Sequence, residues 1–277
     1  MRAAMIAMVG FRFLTFGGPL EWQPANGHRY AALPVSAVGK TGFTLLPAQT
    51  TGIAFTNHLS EEMAAKNRIL ENGSGVALGD VDGDGWCDIY FCRLEGPNVL
   101  YRNLGNWKFE DITRSAGVAC LGQFSTGAIL ADVDGDGDLD LLVNSIGGGT
   151  RLFLNDGAAH FTEILDSGLA RMFGSTSMAM ADIDGDGDLE LYVANYRTTT
   201  FKDAPPGIKS PETRRVDGKI IVTPEDRFAA VVTMSGGVRL REIGEPDILY
   251  VNKGNGRFGP ISWTGGAFVD EDRKSVV

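Results

Sequence analysis

Cysteine and histidine are scarce in this chain, three of each among 277 residues. His28, His58 and His160 stand apart from one another and from any Cys or Glu at metal-binding spacing, so none of them points to catalysis. Cys87 and Cys92 flank one expected strand at odd separation; they face opposite sides and cannot bridge each other. A Cys92–Cys120 bond and a pair of buried thiols both remain open. Long apolar runs are missing too. Residues 3–11 form the main N-terminal one, far short of the ~20 residues that cross a bilayer. Behind Arg2 this run has the outline of a signal peptide, but Arg12 interrupts it and no clean cleavage site follows. No Gly-x-Ser-x-Gly and no P-loop occurs. Gly254-Asn-Gly-Arg-Phe-Gly259 matches the dinucleotide pattern by chance, because it lies in an expected hairpin and opens no helix. Bases are outnumbered, 25 against 35 acids, and the net charge of −10 argues against nucleic-acid binding, which needs a Lys/Arg surface. With 43% hydrophobic residues, the chain has the material for a core.

The acid is concentrated in three windows: Asp80-Val-Asp-Gly-Asp-Gly-Trp-Cys-Asp88, Asp132-Val-Asp-Gly-Asp-Gly-Asp-Leu-Asp140 and Asp182-Ile-Asp-Gly-Asp-Gly-Asp-Leu-Glu190. They hold 14 of the 35 carboxylates and no base, so the rest of the chain carries 21 acids against 25 bases. Two carboxylates about 4 Å apart repel by roughly 4 kcal/mol at an effective dielectric of ~20. Such crowding is tolerable in open water or around a cation, and the spacing favours the cation. Acids at loop positions 1, 3, 5 and 9 put oxygens on alternate residues, and Gly at positions 4 and 6 permits the left-handed turns that converge them. Hard oxygen donors in this number suit Ca²⁺ better than Mg²⁺. The expected ligands are Asp80, Asp82, Asp84 and Asp88; Asp132, Asp134, Asp136 and Asp140; Asp182, Asp184, Asp186 and Glu190. Position 7 (Trp86, Asp138, Asp188) would contribute its backbone carbonyl, which is why Trp is acceptable there. About three Ca²⁺ sites result.

An EF-hand needs an acid at position 12 and flanking helices. Position 12 here is Phe91, Val143 and Val193, and the flanks read as short buried strands at 76–78, 89–91, 128–130, 141–143, 178–180 and 191–193. The first Asp recurs at intervals of 52 and 50 residues. A second motif keeps step with it: Val99-Leu-Tyr-Arg-Asn-Leu-Gly-Asn-Trp-Lys-Phe109, Arg151-Leu-Phe-Leu-Asn-Asp-Gly-Ala-Ala-His-Phe161 and Ile248-Leu-Tyr-Val-Asn-Lys-Gly-Asn-Gly-Arg-Phe258 align without gaps, each a strand, a Gly turn and a return strand. Loop Asp and hairpin Asn lie 23 residues apart in the first two units and 70 in the third, which therefore carries a 47-residue insertion, roughly 197–246. In it a hairpin is expected between 219–222 and 229–233. Thr264-Gly-Gly-Ala-Phe-Val-Asp-Glu-Asp272 repeats Thr126-Gly-Ala-Ile-Leu-Ala-Asp-Val-Asp134 and starts a fourth unit that breaks off at Arg273, as in a truncated protein.

Units of about fifty residues with four short strands predict an all-β fold, a β-propeller of four-stranded blades. The expected organisation is an N-terminal lead-in over 1–70, then propeller repeats over 71–277, with blades at 72–121, 122–171 and 172–262 and a partial blade at 263–277. The Asp-x-Asp-Gly-Asp-Gly-x-x-Asp loops, Gly73-Ser-Gly-Val-Ala77 before the first and Leu100 to Thr113 after it resemble the FG-GAP/VCBS-repeat propeller proteins, nearest to the bacterial ASPIC/UnbV type and its animal cartilage-acidic relatives. The resemblance implies Ca²⁺ in hairpin loops on one face of a ring of typically seven blades, of which about three and the start of a fourth are present.

Two functions fit. In the first, the chain is a non-enzymatic, calcium-stapled interaction or adhesion module, extracellular, periplasmic or at the cell surface, with a protein or glycan partner and with the insertion as partner surface. In the second, the propeller is part of a secreted polysaccharide hydrolase or lyase. A catalytic metal needs an open position and a nearby acid or base. These loops supply nearly every ligand themselves, and the first reading is favoured.

Overall fold

A computed structural model describes residues 23–26, 28–31, 43–203, 210–225, 227–233 and 237–261. The N-terminal apolar run and the fourth repeat at 264–272 lie outside them. The chain divides into two compact units, Met1–Leu45 and Leu46–Val277. In the smaller, β1 (Gln23–Ala25) pairs antiparallel with β2 (His28–Tyr30). The larger begins with two short helices, α1 (Ala48–Thr51) and α2 (Glu61–Lys66), and a 3₁₀ turn at Arg68–Asn72. Ser60 caps α2 by accepting from the Met63 N–H.

Three four-stranded antiparallel sheets follow, and they are the expected blades. Blade 1 is β3 (Val76–Gly79), β4 (Asp88–Phe91), β5 (Val99–Asn103) and β6 (Phe109–Asp111), ordered as in the chain. After the short helix α3 (Thr113–Ala116), blade 2 is β7 (Phe124–Ala131), β8 (Asp140–Ile146), β9 (Gly149–Asn155) and β10 (Phe161–Glu163). Blade 3 starts with β11 (Ser175–Ala181) and β12 (Glu190–Asn195) and ends with a distant hairpin. Each acidic window joins the first two strands of its blade. The innermost strands β3, β7 and β11 neighbour one another, so the architecture is all-β and propeller-like.

The insertion adds four strands: β13 (Glu212–Val216), β14 (Lys219–Thr223), β15 (Phe228–Val232) and β16 (Val238–Glu242). The chain then returns as β17 (Ile248–Asn252) and β18 (Phe258–Ile261), and β12 pairs with β17 as if nothing intervened. The expected hairpin within the insertion is corrected. Both of its strands form, but β14 pairs with β13 and β15 with β16, not with each other. Asp217 and Gly218 are both left-handed (φ 49° and 80°), the two-residue turn that closes β13 on β14. Between β14 and β15 stands Pro224, which has no N–H to extend a ladder.

Two apolar cores lie between blades. Tyr90, Cys92 and Leu100 of blade 1 pack on Leu141, Val143 and Phe153 of blade 2. On the other side of blade 2, Leu142 and Leu152 pack on Leu191, Val193, Ile248 and Tyr250 of blade 3. Strand β8 is consequently buried at every residue, which is why Leu141, Leu142 and Val143 follow one another as an apolar triplet and not as an alternation. Cys92 and Cys120 are buried free thiols, and Cys87 is an exposed one. Burial, with Cys120 beside it, pushes the Cys92 thiol up to about 12, so it behaves as a small apolar side chain. Replacing Leu142 by Ala should cost about 2–5 kcal/mol in denaturant unfolding, whereas Leu165→Ala, at an exposed position, should change stability by no more than about 0.5 kcal/mol.

Candidate metal centres

The three loops share one backbone course. Gly83 and Gly85, Gly135 and Gly137, Gly185 and Gly187 all have φ between 70° and 99°, the left-handed region expected for positions 4 and 6. The first carboxylate of each loop is wrapped by the turn that it starts. Asp132 accepts from the Gly135 N–H at 2.7 Å and the Gly137 N–H at 3.0 Å. Asp182 does the same with Gly185 and Gly187. Asp80 keeps the position-6 donor, Gly85, and takes Asp84 in place of the position-4 Gly. The position-5 carboxylates Asp84, Asp136 and Asp186 accept from the N–H of position 7 at 2.8–2.9 Å. Trp86, Asp138 and Asp188 are thus held by their backbone. The Trp86 ring is half-exposed and lies against Gly105 of the neighbouring hairpin, where a β-carbon would come within 3.3 Å of it.

Position 9 is different, because its side chain points into the protein. Asp88 and Asp140 are fully buried. One oxygen of Asp140 accepts from the Val133 N–H and the other from the Asn155 N–H, both at 2.9 Å. Asp88 receives Val81 and Asn103 in the same way. Glu190 accepts from Ile183 at 3.1 Å, and its Oε1, although buried, has no hydrogen-bond partner. Burial pushes the Asp140 carboxyl up to about 6 despite those two N–H donors, and the charges of Asp134 and Asp136 push the same way. Asp82, Asp88 and Asp134 are raised as well, burial again being the first cause. These are carboxylates placed against their own ionisation, and a cation reverses that balance.

In each loop three acids bring an oxygen to within 4.8 Å of one another: Asp80, Asp82 and Asp88; Asp132, Asp134 and Asp136; Asp182, Asp184 and Glu190. Each set can hold a metal ion. Asp84, Asp140 and Asp186 sit in the same loops outside these closest triplets, as do Asp138 and Asp188. The hairpin Asn was visible as a repeated residue, but its task was not. Asn155 Nδ2 donates to Leu139 O in its own blade at 3.1 Å and to Val81 O in blade 1 at 2.8 Å. Asn252 Nδ2 donates to Val133 O of blade 2 at 2.8 Å. Position 2 of one loop is thereby tied to the hairpin of the next blade. In metal-free buffer, Asp140→Ala should lose about 1–3 kcal/mol of unfolding free energy, because it orphans two buried N–H groups. Asp136→Ala, at an exposed position, should lose less than about 0.5 kcal/mol.

A family model described as an FG-GAP-like repeat matches residues 80–143 and again 132–193. Cartilage acidic protein 1 of Xenopus tropicalis is 32% identical over 116 residues, 41% of this chain and 18% of that protein. The mouse protein of the same name is 38% identical over 82 residues, 30% of this chain and 13% of its own length, and the human one 37% over 82 residues. The chain thus spans less than a fifth of the length of these relatives. The residues matched by the family model run through the three acidic loops and the strands from β4 to β12. Residues 80–193, which hold the three acidic loops, thus match an FG-GAP-like repeat, and part of the chain is similar to cartilage acidic protein 1.

Proposed function

We propose that the chain is a non-enzymatic, calcium-binding interaction module that meets a protein or glycan partner outside the cytoplasm, in the extracellular space, the periplasm or at the cell surface. The observation that carries the reading is the convergence of three carboxylates in each of three equivalent loops, with a buried and unpartnered Glu190 oxygen in the third. An all-oxygen donor set of this kind suits Ca²⁺. Asp80, Asp82, Asp84 and Asp88, with their counterparts, would hold the ion and so fasten the first two strands of each blade together. Three ions would lower the formal charge from −10 to −4. The role is structural because each loop supplies its own ligands, where a catalytic metal keeps a position open for substrate. The partner surface on this reading is the insertion, whose hairpins carry exposed Arg214, Arg215, Arg239 and Arg241 and would suit an acidic protein or glycan.

Ions that bind only the folded state stabilise it by about 1.4 kcal/mol per site at tenfold excess over Kd. For three such sites in a unit of this size, millimolar Ca²⁺ should raise the melting temperature by on the order of 10 °C, and a chelator should reverse the shift. Asp134→Ala and Asp136→Ala should each remove about a third of the rise. A calorimetric titration that shows neither heat nor a melting shift would refute the calcium reading.

A further inference from the structure

The three acidic loops, numbered with their blades, share a backbone course but not a charge. Loop 1 carries four acids, Asp80, Asp82, Asp84 and Asp88, whereas loops 2 and 3 carry five each, because Trp86 stands at position 7 where they have Asp138 and Asp188. A base also approaches loop 1. Arg102 lies in β5, and the equivalent residues of β9 and β17 are the uncharged Leu154 and Val251. Directly across the ladder from Arg102, β6 has Glu110, where β10 has Thr162 and β18 has Gly259. Of the three blades, only the first carries this Arg–Glu pair.

Position 3 is where the base meets the loop. In every loop one oxygen of the position-3 carboxylate accepts from the N–H of position 5, at 3.3–3.4 Å for Asp82, Asp134 and Asp184. The second oxygen of Asp82 faces the Arg102 guanidinium at 3.8 Å. The guanidinium also donates to Glu110 at 2.7 Å, and Arg102 Nε is buried with no partner of its own. One cation is thus shared between a loop carboxylate and a strand carboxylate, and Glu110 is the nearer. The side chains of Arg102 and Asp82 are 39% and 14% exposed, so salt screens their interaction only in part. Arg102 does not shape the loop, since loops 2 and 3 take the same course without it. What it contributes is charge.

That charge matters to the ion such a loop would hold, on the calcium reading above. Ligand charge tunes the affinity of oxygen-lined Ca²⁺ sites, and one unit charge about 6 Å from a divalent ion changes binding by roughly tenfold even in a water-like dielectric. We infer that loop 1 is the weak calcium site of the three, set apart by Arg102 and by Trp86 at position 7, so that the loops fill in two steps. Loops 2 and 3 take their ions first and fasten their blades. Arg102 stands over Asp82 as a resident counter-charge until Ca²⁺ reaches a higher level, then yields the carboxylate to the ion and keeps Glu110. The occupancy of loop 1 therefore follows the ambient Ca²⁺ concentration in a range where the other two loops are already full.

Trp86 supplies a local reporter, because an indole at position 7 sensitises the luminescence of Tb³⁺ bound in the same loop, and Trp86→Phe should abolish that emission. Calorimetry of the full chain with Ca²⁺ should resolve two sites and a third that is weaker by about tenfold or more. Tb³⁺ emission should begin only after two equivalents have bound. Arg102→Leu, which copies blade 2, should strengthen the third site by about tenfold and advance the emission, while Arg102→Lys, which keeps the charge, should leave the site weak. Three equal sites, emission from the first equivalent, or a weak site indifferent to Arg102→Leu would overturn the inference. So would an Arg102→Leu variant that changes only the melting temperature in chelator and not the order of filling. A titration with neither heat nor emission is a different result: it removes the calcium reading itself, and this inference with it.

Discussion

The carboxylate at loop position 9 is the joint on which each blade turns. In blades 1 and 2 it leaves an acidic loop, enters the protein and accepts hydrogen bonds from the start of that loop and from the hairpin that follows, whereas Glu190 of blade 3 accepts only from the Ile183 N–H at the start of its loop. At Asp140 the donors are the Val133 N–H at the start of the loop and the Asn155 N–H in the following hairpin. One side chain thus fixes the ends of the loop and the third strand against the first two. The cost is a buried negative charge, visible in a carboxyl group pushed up to about 6. Burial of a charge is tolerated where donors or cations surround it. The two N–H groups meet part of that requirement, and a loop that gathers further carboxylates beside it is arranged to meet the rest with a cation.

From this joint the contacts run outward to the neighbouring blade. The hairpin Asn that follows position 9 reaches back to position 2 of the preceding loop, so loop and blade order are coupled. Val81 and Val133 bury their side chains in the cores between blades while their carbonyls take the Asn amide. Apolar packing supplies most of the energy at these junctions and the Asn bond supplies register, since a buried amide donor without its acceptor costs about 1–3 kcal/mol. Blade 2, held on both sides, is buried through the whole of β8. Among the described residues blades 1 and 3 have a neighbouring blade on one side, and Val76, Leu78 and Ile183 are exposed.

Much of this was legible in the sequence because it repeats. The spacing of Asp and Gly in the loops, the flanking apolar triplets and the Asn-x-Gly hairpins each recur three times, and all the strands expected from them form. What the sequence hid falls into two kinds. Contacts between residues far apart, such as Asn155 with Val81 or Asn252 with Val133, leave no local pattern: an Asn in a Gly turn reads as an ordinary turn residue, because its side chain serves such turns well. The other kind is degenerate repetition. Residues 47–55 share with 112–120 little more than a helical turn and a Gly at its end, and that resemblance emerges only when Gly52 is seen against Phe109 O as Gly117 is against Phe161 O. The insertion misled for a further reason. Its two best strand segments were adjacent in sequence, but the Asp217-Gly218 turn committed the first of them to an earlier partner.

The third blade tests how far the plan can be stretched, since 52 residues separate its second strand from its third where two separate those of blade 2. Lengthening a flexible connection on that scale adds about 3 kcal/mol of closure entropy, and the blade opposes it with ties at the point of return. Asp247 accepts from the Asn195 N–H and from the Tyr192 hydroxyl, both at 2.6 Å. Blade 1 holds the equivalent place with Asn98, which accepts from the Arg93 N–H and donates to the Tyr90 hydroxyl. Further along, Glu242 gathers Arg197 and Arg227, all three largely buried. An uncharged tie suffices where the connection is short. Where it is long, a carboxylate takes its place, because hydrogen bonds to a charged group are about twice as strong as neutral ones. The insertion can therefore vary on the surface without disturbing β12, β17 or the loop between β11 and β12, which is the property a rigid scaffold needs if it is to carry a recognition element.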